Sequence, residues 1–424
     1  MLGTAIPELK ERGFVYQITE TGLEEAAEQS PLTVYVGFDP TAPSLHLGHV
    51  IPLLALSYLQ KHGHKVIALV GGGTGLIGDP SGKSSERALL SEAVIAENAE
   101  ALKKQIGNFL SFEGDNPAIL VNNADWINST NLVQFLRDIG KHFTVNAMLA
   151  KDSVKARLEE RSQGISFTEF SYMILQSWDY HELYKRYGCT MQMGGSDQWG
   201  NITAGIELIR RLSSVSCHGL TCPLLTKSDG SKFGKTEGGA VWLDPQMTTP
   251  YDLYQYWLNV DDNDVIRFLK IFTFLDLDAI ASLEDEVKNN PEQRQAQRIL
   301  AEEFTRLVHG ADIADECKRA SQFLFGGSVE LLKPSTIDFL RTILPSASMP
   351  RETFTGGVSI FQALIDTGLV KSNGEAKRLI KDGGVYLNDE RITTVQNIGE
   401  ADLLHGQAVF LRVGKKKYGL LVAE

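Results

Sequence analysis

Cysteine is scarce in this chain, with four among 424 residues, at positions 189, 217, 222 and 317. None sits in a CxxC pair, and Cys217 and Cys222 lack the spacing and the nearby histidines of a zinc site. Neither a disulfide framework nor a structural metal is expected, and a reducing, cytoplasmic setting is. Long apolar runs are missing too. The richest, His49 to Leu59, contains Pro52 and falls well short of the ~20 residues a membrane helix needs. The opening segment, Met1 to Arg12, carries acidic residues and no apolar core, so no signal peptide is expected. There is no internal repeat and no low-complexity tract. Nor is positive charge in excess: the formal net charge is −12. That excludes a protein coated in phosphate-binding side chains, but not one whose basic residues are segregated. Gly357 to Glu424 holds nine Lys/Arg against eight Asp/Glu and includes Lys415-Lys416-Lys417, while the remainder is acidic. A localised RNA footprint and a solvated charge run fit that pattern equally.

What is present is an ordinary globular composition, 43% hydrophobic and 22% charged, at a length that suits two or three domains. Two β-type runs, Val34 to Phe38 and Lys65 to Val70, flank the apolar helical segment Leu47 to His62. Strand, helix, strand at this spacing predicts a βαβ unit and hence a parallel sheet. Further strands are predicted at Ala118 to Asn122 and Thr190 to Met193, with helices over Ser91 to Leu110, Leu132 to Ile139 and Ser166 to Tyr187. The alternation predicts an α/β, doubly wound, Rossmann-like domain over residues 1–240. After Trp242 the β signals fade, and an all-helical domain is expected over 241–330, with a clear helix at Gln293 to Leu307. A Gly/Ser/Pro-punctuated linker is expected over 331–356. The block 357–424 opens on a helix, Ile360 to Ile365, and closes on β runs such as Val409 to Val413, so a small α+β domain is expected there.

Five segments at the ends of these elements could carry chemistry. His46-Leu47-Gly48-His49 opens the apolar helix. A helix start offers unpaired N–H groups and a positive dipole end to phosphate. Two imidazoles add donors, Gly48 removes a side chain that would block a nucleotide, and Asp39-Pro40-Thr41 supplies a hydroxyl at the same rim. A capping loop with two surface histidines would look alike. Gly73-x-Gly75-x-x-Gly78 matches the dinucleotide fingerprint, but Asp79-Pro80 follows where a helix should. It reads better as a strand end where glycines let a ligand approach and Asp79 points a carboxylate inward. Ser166 and Glu169 form a capping box. Beyond it Tyr172, Gln176 and Asp179 share one face of an otherwise apolar helix. Such groups need a ligand or an internal network to complete them. Gly194 to Asn201 sets Asp197 and Gln198 where they could serve a ribose or a carboxylate, or form a plain Asx turn. Lys232 and Lys235, in a glycine-rich loop, suit a departing polyphosphate. The first glycine of a Walker A loop is missing, and a plain surface loop is the alternative.

Together and in this order, the five segments resemble the class I aminoacyl-tRNA synthetases. His46 to His49 matches the family's HIGH motif, and Lys232 to Thr236 stands in the place of KMSKS, keeping both lysines but departing at Phe233, Gly234 and Thr236. The combination of Tyr35 to Thr41, Gly78 to Pro80, Phe170 to Asp179 and Gly194 to Asn201 is similar to the bacterial-type tyrosyl-tRNA synthetases. Val358 to Asn388 resembles an S4 RNA-binding domain. The resemblance implies residues 1–240 as the catalytic domain and 241–330 as a tRNA-contacting one. It implies that Tyr35 and Asp179 bind the phenolic hydroxyl of L-tyrosine. Asp79, Tyr172 and Gln176 would hold its ammonium, and Gln198 its carboxylate. Asp39, Gly48, His49, Gly195 and Asp197 would serve ATP, and Thr41 and His46, with Lys232 and Lys235, its phosphates. It further implies ATP with Mg²⁺ as substrate, no organic cofactor, tRNA(Tyr) as partner, RNA binding by the C-terminal domain, and a homodimer whose interface could include Leu132 to Met148. A tryptophan-specific relative, another HxGH nucleotidylyltransferase, and a catalytically silent RNA binder are the competing readings.

Overall fold

The computed structural model describes residues 2–81, 89–151, 154–155, 164–230, 233–236, 239–329 and 332–424. The chain divides into two compact units, Met1–Thr249 with Trp257–Leu300, and Pro250–Tyr256 with Ala301–Glu424.

The first unit is built on six strands: β1 Gln17–Ile18, β2 Thr33–Phe38, β3 Lys65–Val70, β4 Ile119–Asn122, β5 Met191–Gly195 and β6 His218–Cys222. They lie in the order β1-β6-β5-β2-β3-β4. β2 to β6 run parallel, and β1 is an antiparallel edge on β6. The parallel core follows from composition. β3 reads Lys-Val-Ile-Ala-Leu-Val and buries its last five residues, as a strand covered on both faces must. The Leu47–Lys61 helix connecting β2 to β3 is buried along nearly its whole length, matching its continuous apolar sequence. From β2 the chain winds outward through β3 and β4, then returns to lay β5 on the other side of β2. That reversal is a topological switch point, and in doubly wound sheets the ligand-binding crevice lies at such a point, here the carboxyl ends of β2 and β5. β1 and β6 escaped the sequence reading: one has two residues, and the other starts on His218-Gly219 and has little apolar pattern.

The second unit differs from the expected division. Its five-stranded sheet is ordered Glu390–Ile392, Val385–Leu387, Ala408–Val413, Lys417–Ala423, Ser346–Met349. Ser346–Met349 pairs in parallel with Lys417–Ala423, so the stretch read as a linker over 331–356 supplies a strand of that sheet. The stretch also holds the helices Pro334–Arg341 and Arg351–Gly356. The reason lies in Val409-Phe410-Leu411, apolar on both faces. Val409 and Leu411 join one buried cluster with Ile360 and Ile380, while Phe410 joins another with Phe323, Ile337 and Leu340. Phe323, on the Ala311–Leu324 helix, stands edge-on to Phe410 at 4.8 Å. Boundaries at 330 and 356 would cut through these cores.

Candidate active site

A buried polar cluster forms where β2, β4 and the Phe167–Tyr187 helix converge. Ser166 Oγ accepts the Glu169 N–H at 3.2 Å to start that helix, and its register then carries Tyr172 and Asp179 into the interior, at 6% and 2% exposure. Asp179 does not face a void. Asn123 Nδ2 donates to its Oδ2 at 2.9 Å, and Trp126 Nε1 donates to its Oδ1 at 2.8 Å. Burial pushes its carboxyl up to about 8, against those two hydrogen bonds, with Asp39 and Glu182 adding to the rise. Tyr35 on β2 is 1% exposed, and its hydroxyl has no hydrogen-bond partner among the described residues. Burial raises that hydroxyl's pKa well above its usual value, and the nearby Asp179 and Cys189 raise it further. An unpaired buried hydroxyl beside a buried carboxyl is costly in isolation.

A second network lies toward the crevice. Gln198 Nε2 donates to Asp79 Oδ2 at 2.6 Å, and Gln176 Nε2 donates to Gln198 Oε1 at 3.2 Å. Asn201 Nδ2 donates to Gln176 Oε1 at 2.9 Å. Tyr172 OH donates to Asp39 Oδ2 at 2.7 Å, and Thr74 Oγ1 donates to Asp39 Oδ1 at 2.7 Å. The Thr41 N–H donates to the Asp39 carbonyl at 2.8 Å, so the hydroxyl-bearing turn follows β2 directly. Gly195 ends β5, and a Cβ there would lie 2.5 Å from the Asp197 carboxylate. Asp79, Gln176 and Gln198 are thus brought together, as are Asp39 and Tyr172.

Two expectations about backbone change in detail. The glycines after β3 make room for protein side chains. A Cβ at Gly71 would overlap the Asp39 carboxylate and crowd Thr74 Oγ1, and one at Gly72 would overlap the Asn122 amide. The second change concerns the Leu47–Lys61 helix, whose first N–H groups are already satisfied. Leu47 N–H donates to Val241 O at 3.1 Å, Gly48 N–H to His46 Nδ1 at 3.1 Å, and His49 N–H to His46 O at 2.8 Å. His46 N–H in turn donates to His49 Nδ1 at 3.3 Å, completing a reciprocal cap. Both Nδ1 atoms accept, so each neutral ring carries its proton on Nε2. The imidazoles stack at 3.6 Å. Gly48 permits the fold-back, because a Cβ there would sit 2.9 Å from His46 Cε1.

The lysine-bearing segment docks on the same helix start. Gly234, at φ +71°, lies against Leu47, Val241 N–H donates to Gly234 O at 2.9 Å, and Leu243 N–H donates to Leu45 O at 2.9 Å. Phe233 anchors it among Trp257, Phe268 and Phe272. The backbone of Lys235 follows in a two-residue strand paired with Gly239–Ala240. Lys232 and the side chain of Lys235 lie outside the described residues. The sequence reading gave no role to Thr74, Asn123 or Trp126, and none to Asn201 although it closes the Gly194 to Asn201 segment. For the first three the only signal is position, at the carboxyl ends of strands.

A parallel sheet with paired, cap-forming histidines at its switch point and a lysine-bearing segment docked on the same helix start fits the class I tRNA synthetases, and by its family model and relatives the chain belongs to that class. The model "tRNA synthetases class I (W and Y)" matches residues 27–326, and "Tyrosine--tRNA ligase SYY-like C-terminal domain" matches residues 342–421. The tyrosine–tRNA ligase of Roseiflexus castenholzii is 50% identical over 421 residues, 99% of each chain. That of Escherichia coli strain 55989 is 50% identical over 419 residues, 98% of each. A C-terminally truncated mitochondrial tyrosyl-tRNA synthetase of Aspergillus nidulans superposes with a TM-score of 0.69 at 33% identity, covering 76% of this chain and 94% of its own. A tryptophanyl-tRNA synthetase of Encephalitozoon cuniculi, 13% identical at a TM-score of 0.53, shares the fold alone, over 73% of this chain and 87% of its own. Within the class, the chain belongs to the tyrosine–tRNA ligases, enzymes that use ATP to join tyrosine to tRNA.

Proposed function

We propose that the crevice at the carboxyl edge of the sheet activates L-tyrosine with ATP, releasing pyrophosphate, and passes tyrosine from the adenylate to the 3′ end of tRNA(Tyr). In this reading Tyr35 and Asp179 hold the phenolic hydroxyl, Asp79, Tyr172 and Gln176 the ammonium, and Gln198 the carboxylate. Asp39, Gly48, His49, Gly195 and Asp197 serve ATP. Thr41 and His46, with Lys232 and Lys235, grip the phosphates, the imidazoles donating through Nε2. Tyrosine's carboxylate is already a nucleophile, so the residues supply position and charge stabilisation during in-line attack on the α-phosphorus. Mg²⁺ is expected to accompany ATP, whose phosphates provide much of its coordination.

One observation carries the reading: the buried Tyr35 hydroxyl, without a partner among the described residues, next to an Asp179 already gripped by Asn123 and Trp126. A substrate phenol completes both groups, and phenylalanine completes neither. The test is amino-acid-dependent ATP–pyrophosphate exchange with tyrosine, phenylalanine and tryptophan supplied separately. Exchange with tyrosine alone is expected. Exchange with tryptophan would overturn the specificity, and none with any of the three would overturn the activity.

We further infer a homodimer. Leu132, Val133, Leu136 and Val145 on two short helices are 49–72% exposed, an apolar face that a second copy would cover. RNA binding by the second unit is supported by the C-terminal family match and by Lys415-Lys416-Lys417. The four cysteines are buried and free, which suits a cytoplasmic enzyme. No described helix is long and apolar enough to cross a membrane.

A further inference from the structure

Between the two ends of the proposed tyrosine pocket runs a set of hydrogen bonds whose direction is fixed by chemistry. A carboxylate only accepts, so Asp39 takes the Tyr172 proton at Oδ2 and the Thr74 proton at Oδ1, both at 2.7 Å. Thr74 has a single proton, and with that proton directed to Asp39 its oxygen accepts from Asn123 Nδ2 at 2.8 Å. The same amide nitrogen donates its other proton to Asp179 Oδ2 at 2.9 Å. Asn123 cannot turn over, because its Oδ1 accepts the Gly73 N–H at 2.8 Å. Trp126 closes the series on Asp179 Oδ1. Thr74, Asn123, Trp126 and Asp179 are all between 0% and 3% exposed, so water does not substitute for these contacts.

We propose that Thr74 and Asn123 are positioning residues for tyrosine recognition, a relay that donates outward from Asn123 in both directions and ties the carboxylate that reads the hydroxyl to the Asp39–Tyr172 pair at the other end. The inference rests on the function proposed above. Its physical basis is a buried acidic group, Asp179, lying near a second, half-buried one, Asp39. Burial makes the Asp179 charge costly, and the neighbouring Asp39 adds to that cost. The relay delivers a proton to each from the neutral groups between them. Gly71 belongs to the device, since any Cβ there would displace Asp39 from Thr74. Without the Thr74 hydroxyl, Asp39 loses a donor and one Asn123 proton loses its acceptor. The amide, still held at its oxygen by the Gly73 N–H, then carries an unpaired buried proton, and relieving it would shift the Asn123 Nδ2 that aims Asp179 at the substrate hydroxyl.

The test compares Thr74→Val, close in shape but unable to bond, with Thr74→Ser, which keeps the hydroxyl. Kinetic constants for tyrosine and phenylalanine are measured separately in pyrophosphate exchange, alongside thermal melts. Thr74→Val is expected to raise the tyrosine KM and to lower the tyrosine:phenylalanine ratio of kcat/KM by roughly tenfold or more. Thr74→Ser is expected to restore both. A threonine that merely supports the fold would lower the melting temperature without moving the ratio. That result, or failure of serine to restore, overturns the relay. Thr74→Ala, which introduces no new bulk, gives the same readout if the valine variant does not fold. Absence of tyrosine exchange in the wild type would overturn the function itself, whereas an unchanged ratio in an active Thr74→Val enzyme overturns the relay alone.

Discussion

Replacing Asp179 by asparagine tests the phenol pocket most directly, because shape is kept and only bonding capacity changes. Wild-type Asp179 offers two acceptors, and each already receives a proton, from Asn123 at 2.9 Å and from Trp126 at 2.8 Å. An amide offers one oxygen and one NH₂ group. Whichever way it turns, one buried donor meets another. Leaving such a donor unpaired costs about 1–3 kcal/mol. Removing a buried ionisable group offsets part of this, since burial already disfavours the Asp179 charge. Global stability is therefore expected to fall by less than the hydrogen bond alone suggests. Recognition has no such relief, because the substrate hydroxyl loses the carboxyl that would take its proton. A loss of 1.4–3 kcal/mol corresponds to roughly 10- to 150-fold in tyrosine kcat/KM. Phenylalanine, with no hydroxyl to offer, should change little. The assay is pyrophosphate exchange with each amino acid, with circular dichroism to verify folding. A folded Asp179→Asn enzyme whose tyrosine kcat/KM stays within roughly threefold of wild type would refute the assignment.

Three further outcomes follow from the same geometry. The Asp179 pKa is raised in the fold, so its contribution to stability is full below the carboxylate's ordinary 3.8 and lost as pH rises through about 8. Ligand-free enzyme should therefore melt at progressively lower temperature across that window, and Asp179→Asn should flatten the trend in parallel melts. If both proteins show the same slope, Asp179 is not the titrating group. Tyr35→Phe removes a buried hydroxyl that lacks a partner among the described residues, so it should leave the ligand-free melting temperature unchanged or higher while weakening tyrosine binding by roughly 1 kcal/mol or more. A lower melting temperature with normal tyrosine binding would show that the hydroxyl serves the fold instead. Val133→Asp places a carboxylate at a position 72% exposed, so it should leave the protein folded and split the proposed dimer in sedimentation velocity. An intact dimer would place the interface elsewhere.

The parallel core was legible because its signals are local. The residues of β3 are continuously apolar and continuously buried, and the predicted and observed limits of that strand coincide. The Leu47–Lys61 helix was equally plain. The second unit was misdivided for a related reason. Punctuation by Gly326-Gly327, Pro334 and Pro345 looked like a tether, yet Ser346–Met349 gains its place only by pairing with Lys417–Ala423, some seventy residues on. No local pattern in Ser-Ala-Ser-Met announces a strand, since only its partner's exposed edge makes it one. A better signal lay in Val409-Phe410-Leu411. A terminal sheet with an open face would alternate, and this run does not, so something had to cover its second side.

The candidate site residues were legible where a motif singles out polar groups on an apolar element, and illegible where one residue acts on another. Tyr172, Gln176 and Asp179 declare themselves as polar residues on an apolar helix. Asn123 and Trp126 follow a strand with no motif at all, and they meet Asp179 only across 56 and 53 residues of chain. The glycines show the same limit from the other side. The glycines after β3 read in sequence as room for a ligand, because sequence reveals a missing side chain without revealing what fills the gap. Part of that gap is filled by Asp39 and Asn122, so this glycine run works largely as a packing device that lets two polar side chains lie flat against a strand end. That difference matters to function. A ligand-facing glycine tolerates alanine when the ligand can shift. Gly71 cannot, because the group it shelters is covalently fixed to β2 and hydrogen-bonded to both Thr74 and Tyr172.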